Sequence, residues 1–125
     1  MIFGIGCDII ETKRIELSIN KFRERFLHRI FTKQEIDYCN SKKKSSLHFA
    51  VRFAAKESFV KALGTGFAGN IGWNEIEIIN NSAGKPQLKL NGNAKDKVEK
   101  LGIKNMNVTL SHVTKNAIAV VILEK

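Results

Sequence analysis

The stretch from Ser46 to Leu63 constrains the fold most, because it predicts one long helix with an apolar face. Ser46 can cap the start of this helix, and Gly64 is a natural end directly after it. At roughly 100° per residue, one apolar stripe collects Phe49, Phe53, Val60 and Leu63. A stripe of this length must be covered, so the rest of the chain is expected to pack around this helix.

The 125 residues contain 43% hydrophobic side chains, enough for one packed core, and we expect a single domain over residues 1–125. The predicted order is strand, helices, two strands, helix, two strands. This order predicts an α+β fold in which helices cover one face of a largely antiparallel sheet. No apolar run reaches about 18 residues, and the start of the chain lacks signal-peptide features. We therefore expect a soluble, cytoplasmic protein without a membrane partner.

The first ten residues predict a buried strand by their two-residue alternation. Its apolar face consists of Phe3, Ile5, Cys7 and Ile9. The other face carries Gly4, Gly6 and Asp8, and two residues without side chains beside an acid leave room for a bulky group. The alternative is a glycine-bent strand with an aspartate on the surface.

The remaining elements follow from local signals. Residues 12–31 predict one strongly basic helix, with Ile15, Leu17, Phe22 and Phe26 available for packing. Thr32 followed by Glu35 predicts a capping box and a short helix over residues 33–39. Strands are predicted over residues 71–79, 87–90, 107–111 and 117–123, with a helix over 93–101.

Charged residues interrupt the apolar pattern of the long helix. Lys56 falls inside the stripe, Glu57 lies at its edge, and Lys61 follows Glu57 by one turn. Lys56 could simply lay its methylenes on the core and extend outward, and Glu57 with Lys61 could be a common surface pair worth about 0.2–0.5 kcal/mol. Charges that break a consistent pattern nonetheless indicate a functional site. Together with Asp8, Glu57 would suit Mg²⁺ beside a phosphate.

The formal net charge of +9 predicts attraction to a polyanion, which could be nucleic acid, a phosphate-rich cofactor or an acidic protein. Cys7 and Cys39 are expected to be free thiols, and the three scattered histidines do not predict a zinc site. The glycines at positions 64, 66 and 69 spell GxGxxG, but the motif closes a helix instead of opening one, so it predicts a loop and not a dinucleotide site.

Four segments resemble the bacterial holo-acyl-carrier-protein synthases, a branch of the phosphopantetheinyl transferases. They are GIGCDIIE (4–11), RFAAKESFVKALGTG (52–66), GKP (84–86) and LSH (110–112), in the order and spacing of that family. The resemblance implies a Mg²⁺-dependent transfer of 4'-phosphopantetheine from coenzyme A to a serine of an acyl carrier protein. The transfer would release 3',5'-ADP and support fatty acid biosynthesis.

Roles for individual residues also come from the resemblance. Asp8 and Glu57 would bind Mg²⁺ beside the coenzyme A pyrophosphate. Lys61 would stabilise or protonate the leaving phosphate, and Lys56 would help to hold the pyrophosphate. Either Glu57 or a metal-bound water would accept the serine proton.

The same resemblance implies contacts at the periphery of the site. Candidates for the adenosine 3'-phosphate end are Gly84, Lys85, Pro86 and His112, although they could also be a proline turn and a histidine at a strand end. The acyl carrier protein would dock on a basic surface that includes Arg14, Lys21 and Arg25. A homotrimer with active sites between subunits is implied. The alternatives are a basic nucleic-acid-binding domain and a carrier-protein adaptor without catalysis.

Overall fold

The computed structural model describes all residues from 1 to 125. Its elements, in chain order, are β1 (Ile2–Glu11), α1 (Thr12–Phe22), α2 (Glu24–Ile30), α3 (Lys33–Asn40), α4 (Ser45–Leu63), a 3₁₀ turn (Trp73–Glu75), β2 (Ile76–Asn80), β3 (Pro86–Leu90), α5 (Gly92–Lys100), β4 (Asn105–His112) and β5 (Asn116–Glu124). All strand pairs are antiparallel, which confirms the expected α+β class.

The strands form two sheets. The larger sheet has the order β1-β5-β4, and the smaller one is the β2-β3 hairpin. In the larger sheet, Asp8 of β1 lies opposite Ala119 of β5, which in turn lies opposite Leu110 of β4. The last strand of the chain therefore occupies the centre of the sheet, between the first strand and β4.

Helix α4 packs directly on this sheet because β1 presents glycine to it. A Cβ atom on Gly4 would lie 1.9 Å from the carbonyl oxygen of Ala62, and one on Gly6 would lie 1.8 Å from that of Ser58. No side chain larger than hydrogen fits at either position. The Ser58 hydroxyl also donates a hydrogen bond of 2.9 Å to the carbonyl oxygen of Ala119, which ties the helix to β5.

In β1, the face that carries the glycines is the one turned towards α4. The bulky group that the glycines admit is the backbone of α4, so the glycine face points into the core. The apolar face is turned away from it, and Ile5 and Ile9 are 60% and 65% exposed. These side chains form an apolar surface, here called the outer sheet face, together with their neighbours on β5; its members are Ile5, Cys7, Ile9, Ile118, Val120 and Ile122.

Local signals predicted some helix ends correctly and missed others. The capping box of Thr32 and Glu35 is present at the start of α3, and Gly64 ends α4 with a left-handed φ of 83°. Helix α4 begins at Ser45, and no side chain caps it. The single basic helix expected over residues 12–31 is two helices, because Arg23 adopts a φ of 48° that no helix can continue.

The strand expected over residues 71–79 begins only at Ile76, since the residues before it form the 3₁₀ turn. The hairpin with β3 is confirmed, and Ile76 pairs with Leu90. A helix long and apolar enough to cross a membrane is absent from the fold.

Candidate active site

Asp8, Glu57 and Lys61 meet where β1 passes alongside α4. The Lys61 ammonium donates hydrogen bonds to Asp8 Oδ1 at 3.0 Å and to the carbonyl oxygen of Cys7 at 3.1 Å. Glu57 lies one turn before Lys61 on the same side of α4. Lys61 forms its ion pair with Asp8 across the two elements, and not with Glu57 along the helix as the surface-pair alternative required. The fold thus unites three residues that were predicted to act together.

The electrostatics of this group favour binding of a cation. Burial raises the pKa of the half-buried Glu57 carboxyl, and the negative charge of Asp8 raises it further, while Lys61 opposes both effects. The hydrogen bond from Lys61 to Asp8 raises the pKa of the Lys61 ammonium, so Lys61 remains charged at neutral pH. Two carboxylates therefore repel each other beside one ammonium, and a further positive charge would relieve that repulsion.

The donor set fits Mg²⁺ better than a transition metal. Asp8 and Glu57 offer hard carboxylate oxygens, and no third His, Cys, Asp or Glu side chain joins them in a metal-binding group. Mg²⁺ is commonly held by one or two carboxylates, with water and substrate phosphates completing the coordination. Asp8 and Glu57 could therefore hold a magnesium ion whose remaining ligands are water and phosphate oxygens.

The structure does not support the predicted contact of Lys56 with pyrophosphate. Lys56 is fully buried, and its ammonium donates to Glu35 Oε1 at 2.7 Å and to the carbonyl oxygens of Ile30 and Trp73 at 2.9 and 3.1 Å. The three donors of an ammonium group are thereby occupied. The Glu35 carboxylate is buried as well, and it also accepts the backbone N–H of Ile78 at 3.0 Å. Lys56 thus joins α4 to the segments around it.

A second group of predicted residues lines a separate cavity of about 250 Å³. It contains Gly84 and Pro86 from the β2-β3 turn and His112 from the end of β4. Lys85, from the same turn, lines a neighbouring cavity on the other side of Pro86. The fold therefore brings three of the four candidates for the adenosine 3'-phosphate end to one cavity, with Lys85 beside it.

Two residues in this cavity, His48 and Arg52, were not identified from the sequence. Arg52 is 2% exposed, its guanidinium lies 4.3 Å from the centre of the Tyr38 ring, and its only side-chain hydrogen bond is a long one of 3.4 Å to the carbonyl oxygen of His48. Its Nε atom is buried without a partner. A buried cation with free donors is suited to an anion. Arg52 could have been identified from the sequence, because it is an arginine between apolar residues of the helix that was expected to pack on the core.

The two parts of the candidate site lie on different sides of α4. Arg52 precedes Lys61 by nine positions, which at roughly 100° per residue places them about 180° apart around the helix. Asp8 is on one outer strand of the larger sheet and His112 is on the other. Two strand spacings, about 10 Å, separate these strands, and α4 lies between the two parts.

The basic surface predicted for a carrier protein is exposed. Arg14 and Lys21 lie on α1, and Arg25 lies on α2 just after the break. Leu17 and Phe22, which were expected to help pack the core, are exposed among them instead. This surface therefore combines positive charge with exposed apolar side chains.

Comparisons with known proteins agree with the geometry. Residues 4–121 match the 4'-phosphopantetheinyl transferase superfamily. The chain is 46% identical to the holo-(acyl-carrier-protein) synthase of Geobacter sp. (strain M21) and 42% identical to that of Geotalea daltonii, over 100% of each chain in both cases.

Solved structures give the same result. The holo-(acyl-carrier-protein) synthase from Neisseria meningitidis is similar with a TM-score of 0.91 and 38% identity, over 100% of both chains. The Helicobacter pylori enzyme, solved in complex with coenzyme A, has a TM-score of 0.85 and 32% identity, over 96% of this chain and 99% of that one. The chain therefore belongs to the 4'-phosphopantetheinyl transferase superfamily, in the branch of the holo-(acyl-carrier-protein) synthases.

Proposed function

We propose that the protein transfers the 4'-phosphopantetheine group of coenzyme A to a serine of an apo acyl carrier protein and releases 3',5'-ADP. The observation that carries this proposal is the meeting of Asp8, Glu57 and Lys61, two carboxylates and an ammonium suited to a metal-bound diphosphate. Similar enzymes from Helicobacter pylori and Bacillus anthracis were solved with coenzyme A and with coenzyme A (3',5'-ADP). The acceptor follows from the names of the relatives.

We propose Mg²⁺ as the cofactor, held by Asp8 and Glu57 beside the diphosphate of coenzyme A. When bound, Mg²⁺ would offset negative charge on the diphosphate. Lys61 would place its ammonium at the bridging oxygen, where negative charge develops. The serine oxygen would form a bond to the β-phosphorus and pass its proton to Glu57 or to a water molecule at the site, while the bond from that phosphorus to the bridging oxygen breaks. The bridging oxygen leaves with 3',5'-ADP.

We further propose a homotrimer in which coenzyme A lies between two subunits. The cluster of Asp8, Glu57 and Lys61 lies on one side of α4, and the cavity of Arg52 and His112 lies on the other. Within one chain, a single coenzyme molecule would have to pass around that helix to reach both. A second copy can present its cavity to the carboxylates of the first. The outer sheet face offers an apolar surface for such an interface, because large exposed apolar patches commonly mark contact sites.

The acyl carrier protein is proposed to dock on α1 and α2. Arg14, Lys21 and Arg25 provide positive charge, and Leu17 and Phe22 provide exposed apolar area beside it. An acidic partner would be attracted by the charges and would gain affinity by covering the apolar side chains. We place this reaction in the cytoplasm, where it would support fatty acid biosynthesis and where the two free cysteines would remain reduced.

The decisive experiment is mass spectrometry of an apo acyl carrier protein incubated with the protein, coenzyme A and Mg²⁺. We expect a mass increase equal to one phosphopantetheine group, together with 3',5'-ADP. Asp8→Ala and Glu57→Gln should abolish the increase, whereas Asp96→Asn, which removes an exposed carboxylate of α5, should not.

Each failure has its own meaning. Near-normal transfer by Asp8→Ala or Glu57→Gln would refute the metal assignment. Carrier binding without release of 3',5'-ADP would favour the adaptor alternative. A salt-sensitive shift of nucleic acid, with no calorimetric response to coenzyme A and Mg²⁺, would favour a nucleic-acid-binding domain.

A further inference from the structure

His48 occupies the middle of a ring cluster that joins three elements. It projects from α4, and its ring centre lies 5.9 Å from that of Tyr38 on α3 and 6.1 Å from that of His112 on β4. The two histidine rings line the same cavity of about 250 Å³ as Arg52. His48 is half-buried and lines this cavity.

The charged and titratable groups around His48 are positive or neutral. Tyr38 faces it from α3, Lys42 from the turn after α3, Arg52 from its own helix and His112 from β4. No acidic side chain lines this cavity, although Asp37 lines an adjoining cavity that shares Tyr38 and Arg52. Burial lowers the pKa of His48, and the charges of Arg52, His112 and Lys42 lower it further. The imidazole is therefore neutral at neutral pH while the cavity is empty of anions.

A phosphate monoester in the cavity would favour the protonated form of His48. It carries close to two negative charges at neutral pH and offers three acceptor oxygens. Arg52 lines the cavity, and its guanidinium can donate hydrogen bonds to these oxygens. With the dianion in the cavity, a proton on His48 would be attracted by two negative charges, and this attraction would offset the repulsion from the neighbouring cations.

We propose that His48 is an affinity-determining residue for the 3'-phosphate of coenzyme A, which it binds by taking up a proton as the phosphate enters the cavity with Arg52 and His112. This inference rests on the proposed function, because it takes coenzyme A as the ligand. It assigns to His48 a role in substrate affinity that depends on pH, and it assigns none in the transfer step.

The sign of the effect follows from proton linkage. If the complex holds one more proton than the free protein, affinity for coenzyme A rises as the pH falls, by at most about tenfold per pH unit. The rise ends once the free protein is itself protonated at His48. Dephospho-coenzyme A lacks the 3'-phosphate but has the same diphosphate and pantetheine arm, so its affinity should show no contribution from His48.

The test is isothermal titration calorimetry of the full chain with coenzyme A and with dephospho-coenzyme A, between about pH 8 and pH 6.5. Wild type should bind coenzyme A about tenfold more tightly at the lower pH, and titrations in buffers of different ionisation enthalpy should show proton uptake. His48→Phe keeps a ring against Tyr38, and His48→Gln keeps a donor that cannot titrate. In both variants the gain should fall below about threefold.

The possible results test the role of His48 separately from the proposed transferase function. Equal pH dependence in wild type and both variants would overturn the role of His48, even where phosphopantetheine transfer is intact. Equal pH dependence for the two coenzymes in wild type would overturn the link to the 3'-phosphate. A wild-type protein that binds neither coenzyme would overturn the proposed function as well. Thermal unfolding of each variant shows that the site is compared in folded proteins.

Discussion

The ammonium of Lys61 lies 3.0 Å from Asp8 Oδ1, although the two residues are 53 positions apart in the chain. The Lys61 side chain is 51% exposed and that of Asp8 is 17% exposed. An ion pair open to solvent on one side contributes little to stability. Its importance is its position, since it holds a positive charge beside the Asp8 and Glu57 carboxylates.

Replacing Lys61 with methionine should separate catalysis from stability. We expect turnover to fall by about 100-fold or more, because a charge aimed at the leaving oxygen is removed. The free energy of unfolding should change by less than about 1 kcal/mol. Lys33→Met is the matched control, since Lys33 forms an exposed ion pair of 2.8 Å with Asp37 within α3 and contacts neither Asp8 nor Glu57. Steady-state kinetics with similar turnover in both variants would contradict the role of Lys61.

The titration of Glu57 should depend on Asp8. Because burial and the Asp8 charge both raise the pKa of Glu57, its titration measured by NMR without metal should have a midpoint above the ordinary glutamate value of 4.5. Asp8→Asn removes the repulsion, and the midpoint should move down. An unchanged midpoint in Asp8→Asn would show that the two carboxylates do not interact.

The raised pKa of Glu57 makes both the stability of the protein and its metal affinity depend on pH, each in a defined direction. Between pH 4.5 and the raised pKa of the folded state, the folded protein holds a proton on Glu57 that the unfolded chain has lost. The group therefore contributes stability that is fully present below pH 4.5. The contribution disappears as the pH rises from 4.5 through the raised pKa of the folded state. Mg²⁺ requires the ionised carboxylate, so apparent metal affinity should weaken as the pH falls through the same window.

Gly6 should not tolerate a side chain, because the new Cβ would lie 1.8 Å from the carbonyl oxygen of Ser58. Gly6→Ala is expected to lower the free energy of unfolding by about 3 kcal/mol or more, since β1 and α4 must separate. Gly72→Ala is a control in which the nearest atom is 3.7 Å away, and it should change stability by less than about 0.5 kcal/mol. Equal effects in denaturant titrations would contradict the close helix–strand contact.

Lys56 and Glu35 should behave as a coupled structural pair. Lys56→Met leaves a buried carboxylate without its cation, and we expect a loss of about 3–5 kcal/mol in the free energy of unfolding. The double variant Lys56→Met with Glu35→Gln should lose less than the sum of the single variants. A Lys56→Met protein of wild-type stability with weakened coenzyme A binding would instead restore the predicted pyrophosphate contact.

A charge on the outer sheet face should disrupt assembly. Ile9→Glu places a carboxylate in the proposed subunit interface, and light scattering should show a shift from trimer towards monomer. Leu17→Glu is the control, because Leu17 is similarly exposed on α1 and should leave the assembly unchanged. A wild-type monomer, or an Ile9→Glu trimer, would refute the proposed interface.

Structural features that depend on residues close together in the chain were predicted correctly from the sequence. The capping box of Thr32 and Glu35, the end of α4 at Gly64 and the β2-β3 hairpin each depend on local hydrogen bonds or on one backbone conformation. Asp8, Glu57 and Lys61 were predicted as well, because charges at the edge of an apolar helix face and the resemblance in motif order indicated the same positions.

The tertiary structure decided which surfaces meet. Two-residue alternation separates the faces of β1 but cannot say which one is covered, and only the close approach of α4 to Gly6 shows that it is the glycine face. Burial of Lys56 against Glu35 and the cavity formed by His48, Arg52 and His112 likewise depend on segments distant in sequence. Local hydrogen bonding is determined by neighbouring residues, whereas burial and charge pairing are determined by whatever the rest of the chain brings alongside.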